Sequence, residues 1–83
     1  MTDVEMVSGE EFARRFTASI ERAFRVSLTV EDLDAATKLG FLLAESIATL
    51  ALMRASHVEY VPLTLIENHE TVMADLLESV TQL

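Results

Sequence analysis

A glutamate and a serine, Glu45-Ser46, stand inside the otherwise almost wholly apolar run LLAESIATLALM of residues 42–53. Either Ser46 is a quiet helix residue or the run exists to present it. Nucleophilic catalysis would need a base within hydrogen-bond reach, oriented by a third group, and the sequence assigns no such pair. The two histidines, His57 and His69, are separated by Pro62 and lack metal-ligand spacing, so no zinc site is expected. His69 falls on the apolar side of a helical pattern, where a packed or capping imidazole is the ordinary reading and a catalytic base is not. There is no Cys, which removes disulfides and thiolate ligands and leaves the redox compartment open. The chain is therefore not expected to be an enzyme.

The elements that position these residues must form a small fold. At 83 residues the chain has room for one domain, 1–83, and a domain of this size buries only about 60% of its unfolded surface. With 51% apolar residues, one Pro and two Gly, it should fold. Ser8 followed by Glu11 makes a capping box, stapled by Val7 and Phe12, so a helix starts there and residues 1–7 are expected to be a flexible N-terminus. Phe12, Phe16, Ile20, Ala23 and Phe24 then recur at three- and four-residue steps, with Arg14, Arg15, Arg22 and Arg25 on the opposite side. Val26, Ser27 and Leu28 continue a helix poorly, and Thr29 with Asp32 offers a second cap, stapled by Leu28 and Leu33.

From there periodicity alone allows one long helix from Val30 to about Ser56. Gly40 costs about 1 kcal/mol against Ala in a helix interior, and Thr37 can cap, so a break between Thr37 and Ala44 also fits. The stretch HVEYVP has the content of an extended connector, and Pro62 disfavours helix at Val61, which ends the preceding helix near His57. Beyond Pro62, Leu65, Ile66, Val72, Met73, Leu76, Leu77 and Val80 follow helical spacing. Thr71 is a candidate N-cap that would split this pattern into a short helix and a last one.

The net charge of −8 argues against nucleic acid, because phosphate contacts need clustered Lys and Arg. Residues 55–83 carry Glu59, Glu67, Glu70, Asp75 and Glu78 and no Lys or Arg, which reads as a solvated acidic face or as one that seeks basic partners. The opening MTDVEMVSGEEF has early acids and neither a basic nor an apolar leader region, so it is not read as a secretory signal. Residues 39–53 are apolar but short of the roughly 20 needed to cross a bilayer, and they include Glu45. A cytoplasmic protein without a membrane span is expected.

The stretch VEYVPLTLIENHETVMADLLESV resembles the end of acyl and peptidyl carrier proteins, in which a helix gives way to a β-like turn, a short third helix, an acidic-polar step and a last helix. Val61-Pro62, Glu67-Asn68, Thr71-Val72 and Leu76-Leu77 fall into those places without a gap. The resemblance spans nearly the whole chain, and its C-terminal motif is the more specific part. It implies an all-α fold, a small four-helix bundle of acyl-carrier-protein type: a first helix at 9–25, a long loop at 26–43 with the EDL turn at 31–33, and a second helix at 44–57. The family's defining motif is Asp-Ser-Leu preceded by Leu-Gly and one residue, and its Ser carries 4′-phosphopantetheine through a phosphodiester.

Two registers of that motif compete. In the first, Glu45, Ser46 and Ile47 take the Asp, Ser and Leu places, with Leu43 where the Gly should be; Ser46 then lies 16 positions before Pro62, nearly one helical turn closer than usual. In the second, Leu39-Gly40-Phe41 matches the Leu-Gly step and the Ser position falls on Leu43, which cannot be modified. The first is favoured because an acid-Ser-aliphatic triplet is retained.

What the resemblance then implies is a carrier for fatty acid, polyketide or nonribosomal peptide biosynthesis. It would present a thioester-linked intermediate on a phosphopantetheine arm, covalent at Ser46, with Glu45 near the phosphate. A phosphopantetheinyl transferase and acyl-loading or condensing enzymes would be its partners. The second helix departs from the family's acidic pattern, since Ile47, Ala48, Leu50, Ala51, Leu52 and Met53 are too many apolar residues for so small a bundle to bury. An exposed patch is expected there, with Ile47, Leu50, Met53 and Arg54 as candidate partner-binding residues. The alternative function is a non-modified, carrier-like helical docking module without the prosthetic group. A third reading, an unrelated helical inhibitor or antitoxin with an acidic face, gains if the chain forms three long helices. Homo-oligomerisation through the second helix stays open under each.

Overall fold

The computed structural model describes residues 4–82. In chain order it comprises β1 (Met6–Ser8), α1 (Gly9–Ser27), α2 (Leu33–Ala55), β2 (Tyr60–Pro62) and α3 (Leu63–Thr81). It is thus a mostly helical small domain with three helices and a tiny two-stranded sheet, not four helices.

Ser8 caps α1 by accepting the Glu11 N–H at 3.1 Å. The carboxylate of Glu11 does not complete the reciprocal half of the box; it accepts from Arg14 Nε at 2.7 Å. Val7 and Phe12 join one apolar cluster, as the staple requires. Met6 and Val7, expected within a flexible start, are paired instead. β1 runs antiparallel to β2 with Met6 opposite Pro62, Val7 opposite Val61 and Ser8 opposite Tyr60. Residues 1–3 of that expected segment lie outside the described residues. The clasp extends at both ends through Gly9 N–H to Glu59 O and Leu63 N–H to Glu5 O, each 2.8 Å. Gly9 is needed there, because a Cβ would sit 2.5 Å from the Val58 carbonyl oxygen.

The expected long loop at 26–43 is absent. The connection is short, and α2 starts at Leu33, where Asp32 accepts the Ala35 N–H at 2.9 Å. Thr29 does not cap; its hydroxyl donates to Val26 O. Gly40 lies inside α2 without breaking it, since its cost of about 1 kcal/mol is small beside the burial of Ala35, Leu39 and Leu43 on the inner side. α2 ends in a Schellman arrangement: His57 N–H reaches Arg54 O and Val58 N–H reaches Met53 O, with His57 at φ 52° where Gly is usual. α3 is continuous, so Thr71 starts no helix. Ile66, Met73, Leu77 and Val80 are all buried along one stripe.

Two apolar clusters hold the helices. Phe12, Phe16, Val61 and Ile66 form one beneath the sheet, and Ala23, Leu39, Leu43, Met73 and Leu77 form the other. A forked ion pair from Arg15 to Glu70, with Nε to Oε2 at 3.0 Å, ties α1 to α3. The Cα radius of gyration is 13.9 Å, against about 12 Å for a compact chain of this length.

Candidate functional site: the two faces of α2

Inward, α2 sends Ala35, Leu39, Leu43 and Ser46 into the interior. Ser46 is 2% exposed, and its Oγ donates to the Leu42 carbonyl at 2.7 Å. That back-bond to the preceding turn satisfies a hydroxyl in a helix interior. A Ser able to hold phosphopantetheine needs solvent at its Oγ and, for the phosphodiester, free N–H groups at a helix start. Ser46 has neither, because the helix begins more than three turns earlier, at Leu33. Leu43, which takes the Ser place in the other register, is also buried within the helix. The residues present therefore do not fit the prosthetic group. Glu45 is exposed beside Ser46.

Next to Ser46 lies a shallow cleft of about 230 Å³, lined among others by Phe16, Glu45, Thr49, Asn68 and His69. His69 stacks on Phe16, ring centroids 3.9 Å apart and planes at 18°. Its Nε2 is buried without a hydrogen-bond partner among the described residues. Burial pushes the imidazole pKa below its ordinary value, against the opposing pull of Glu70 and Glu45. Since Ser46 donates to the backbone and not to this imidazole, the two do not form a nucleophile–base pair. Among the described residues no group of three His, Cys, Asp or Glu could hold a metal ion.

Outward, α2 is different. Leu33 is 81% exposed, Phe41 74%, Leu52 68% and Ile47 53%. Between them lie Gly40, Ala44, Ala48, Ala51 and Ala55, all exposed. At about 100° per residue these positions fall on one face centred on Ala44. Thr37 interrupts it, with its hydroxyl turned back to Leu33 O at 2.8 Å. Asp34 and Arg54 stand at its edges, one near each end.

Of the residues expected to bind a partner, Ile47 and Arg54 are exposed. Leu50 and Met53 turn inward and pack against the Phe12–Val61 cluster. Leu33 and Phe41 were missed because they fall within the segment read as a loop; their spacing from Ala44 and Ala48 was the available signal. α2 has 23 residues and contains an 18-residue stretch of mean hydropathy 1.4, so by length and composition it is also apolar enough to cross a membrane, unlike the shorter 39–53 run, and 17% of that stretch is buried in the domain. Compared with protein-family models, curated proteins and solved structures, the chain has no match.

Proposed function

We propose that this chain is a non-modified helical interaction module that docks through the outer face of α2. One observation carries the reading: α2 exposes Leu33, Phe41, Ile47 and Leu52 along its length. Exposed apolar patches beyond a few hundred Å² mark interaction sites, and a helix face of this kind meets its partner through anchors at three- and four-residue steps. The rest of the chain is acidic, net −8, which keeps a domain with such a patch in solution. The buried Ser46 supports the absence of a prosthetic group.

The test is the intact mass of the protein after incubation with coenzyme A and a broad-specificity phosphopantetheinyl transferase, beside Ser46→Ala and a known carrier as positive control. No mass gain is expected. A gain of one phosphopantetheine that disappears in Ser46→Ala would overturn this reading and make the protein an acyl or peptidyl carrier.

A further inference from the structure

We propose that the occupant of the outer face of α2 is a second copy of this chain, packed antiparallel across a two-fold axis at Ala44. The inference rests on the docking reading above and names its partner. Ala44 is the central residue of α2. Around it the side-chain sizes are palindromic: Phe41 and Ile47 lie three residues to either side, Gly40 and Ala48 four. At about 100° and 1.5 Å per residue, Phe41 and Ala48 occupy one flank of the face, and Ile47 and Gly40 the other.

A two-fold axis between antiparallel helices keeps each residue on its own flank and inverts its height. Phe41 then comes within about 1.5 Å of the height of the partner's Ala48, and Ile47 likewise of the partner's Gly40. Each large side chain meets a small one, the condition for close helix packing. Gly40 has the room, since even a Cβ there would meet nothing within 4 Å. These side chains are exposed, so packing within one chain does not set their sizes.

Charge does not oppose the pairing. Asp34 and Arg54 lie ten residues to either side of Ala44 and on opposite flanks, so each acid shares the height of the partner's base without facing it; Asp34 is held by Lys38 of its own helix at 3.2 Å, and the helix dipoles are opposed. No charged residue lies on the midline of the face. Leu33, Phe41, Ile47 and Leu52 with the intervening alanines offer up to about 600 Å² per protomer and about 1,200 Å² per pair, the lower bound of stable specific interfaces. Interfaces at that lower bound belong with weak, transient complexes, so dissociation is expected within the concentration range sampled below. A bilayer surface fits less well: interfacial helices are flanked by many Lys and Arg, and α2 has Lys38 and Arg54 in a chain of net charge −8.

Sedimentation velocity from about 1 to 500 µM, at low and high salt, tests the proposal. A monomer–dimer equilibrium is expected, and salt should tighten it by screening two acidic chains. Ala44→Glu places two carboxylates on the axis and should weaken the dimer by about tenfold or more, with the helical circular dichroism unchanged. Ser79→Glu adds the same charge on α3 and should leave it intact. In this Cys-free chain, Ala44→Cys should oxidise to a linked dimer and Ser79→Cys should not. A monomer at every concentration, a dimer indifferent to Ala44→Glu, or a monomer that instead pellets with phosphatidylcholine vesicles would each overturn the second copy. None of these touches the absence of the prosthetic group, which the mass measurement decides separately.

Discussion

Ser46→Asp asks directly where the Ser46 hydroxyl lies. The side chain is 2% exposed and faces a carbonyl oxygen 2.7 Å away. A carboxylate in its place would lose its water and meet an acceptor where it needs a donor. The effective penalty for an unpaired buried charge is several kcal/mol, moderated when the group takes up a proton instead. We expect a loss of about 3 kcal/mol or more, out of roughly 4–12 kcal/mol for a chain of this length.

Ser46→Ala is the matched control. It leaves no orphan, because the Leu42 carbonyl keeps its ordinary helical bond to the amide of residue 46, and Ala is the better helix former. Its effect should stay within about 1 kcal/mol. Urea unfolding followed by far-ultraviolet circular dichroism measures both variants, provided that the m value is unchanged. At the exposed start of a helix Asp would be as good as Ser or better, through capping and the dipole. An Asp variant as stable as the wild type would therefore refute the buried placement, and with it the reason for setting carrier chemistry aside.

Three further outcomes follow from particular contacts. Gly9→Ala forces a Cβ against the Val58 carbonyl oxygen at 2.5 Å and should cost about 1–3 kcal/mol in the same urea assay; a neutral result would mean that the clasp yields easily. His57→Gly relieves a left-handed residue at φ 52° and should stabilise by about 1 kcal/mol, read as a higher urea midpoint. His69 has a folded pKa lowered from 6.5 by burial. The unfolded chain therefore binds the proton more readily, and stability should be level above about pH 7 and fall as pH drops through 6.5 and below. His69→Phe should flatten that part of the profile, and an unchanged slope would assign it to other groups.

Local signals in this sequence were legible where one residue decides one bond. Ser8 as a cap, the Phe12–Phe16 stripe and the extended VP segment are of that kind. The long α2 was legible too: Leu39, Leu43 and Ser46 recur at four- and three-residue steps, which also places Ser46 on the buried side. Gly40 and the capping ability of Thr37 argued for a break, and the likeness to carrier proteins, with its long loop, then favoured it; Thr71 suggested a new helix start from its residue type, which the continuous apolar stripe of α3 overrode. The strand pairing was not legible, because Val7 and Val61 each belong to three residues without a repeating pattern. Nor was the positive φ at His57, where the helix end imposes on a histidine a conformation that glycine normally signals. On the outer face of α2, Ile47 was found from composition, whereas Leu50 and Met53 turn inward, because an almost uniformly apolar helix does not show which side is buried.

The antiparallel clasp between β1 and β2 also constrains how the chain can be made. The ribosome delivers Met6–Ser8 about fifty residues before Tyr60–Pro62, an interval of several seconds at ordinary rates of synthesis. For that time the first strand is an open edge, and Phe12 and Phe16 lack the Val61 and Ile66 that later cover them. α1 and α2 emerge together as a helical hairpin whose contacts are closer in sequence, so they can pair first. Met6–Ser8 then act as a latch that shuts last, once β2 has been made. A nascent chain released before residue 60 has nothing for its first strand to hold, and it lacks the Val61, Ile66, Met73 and Leu77 that complete both apolar clusters.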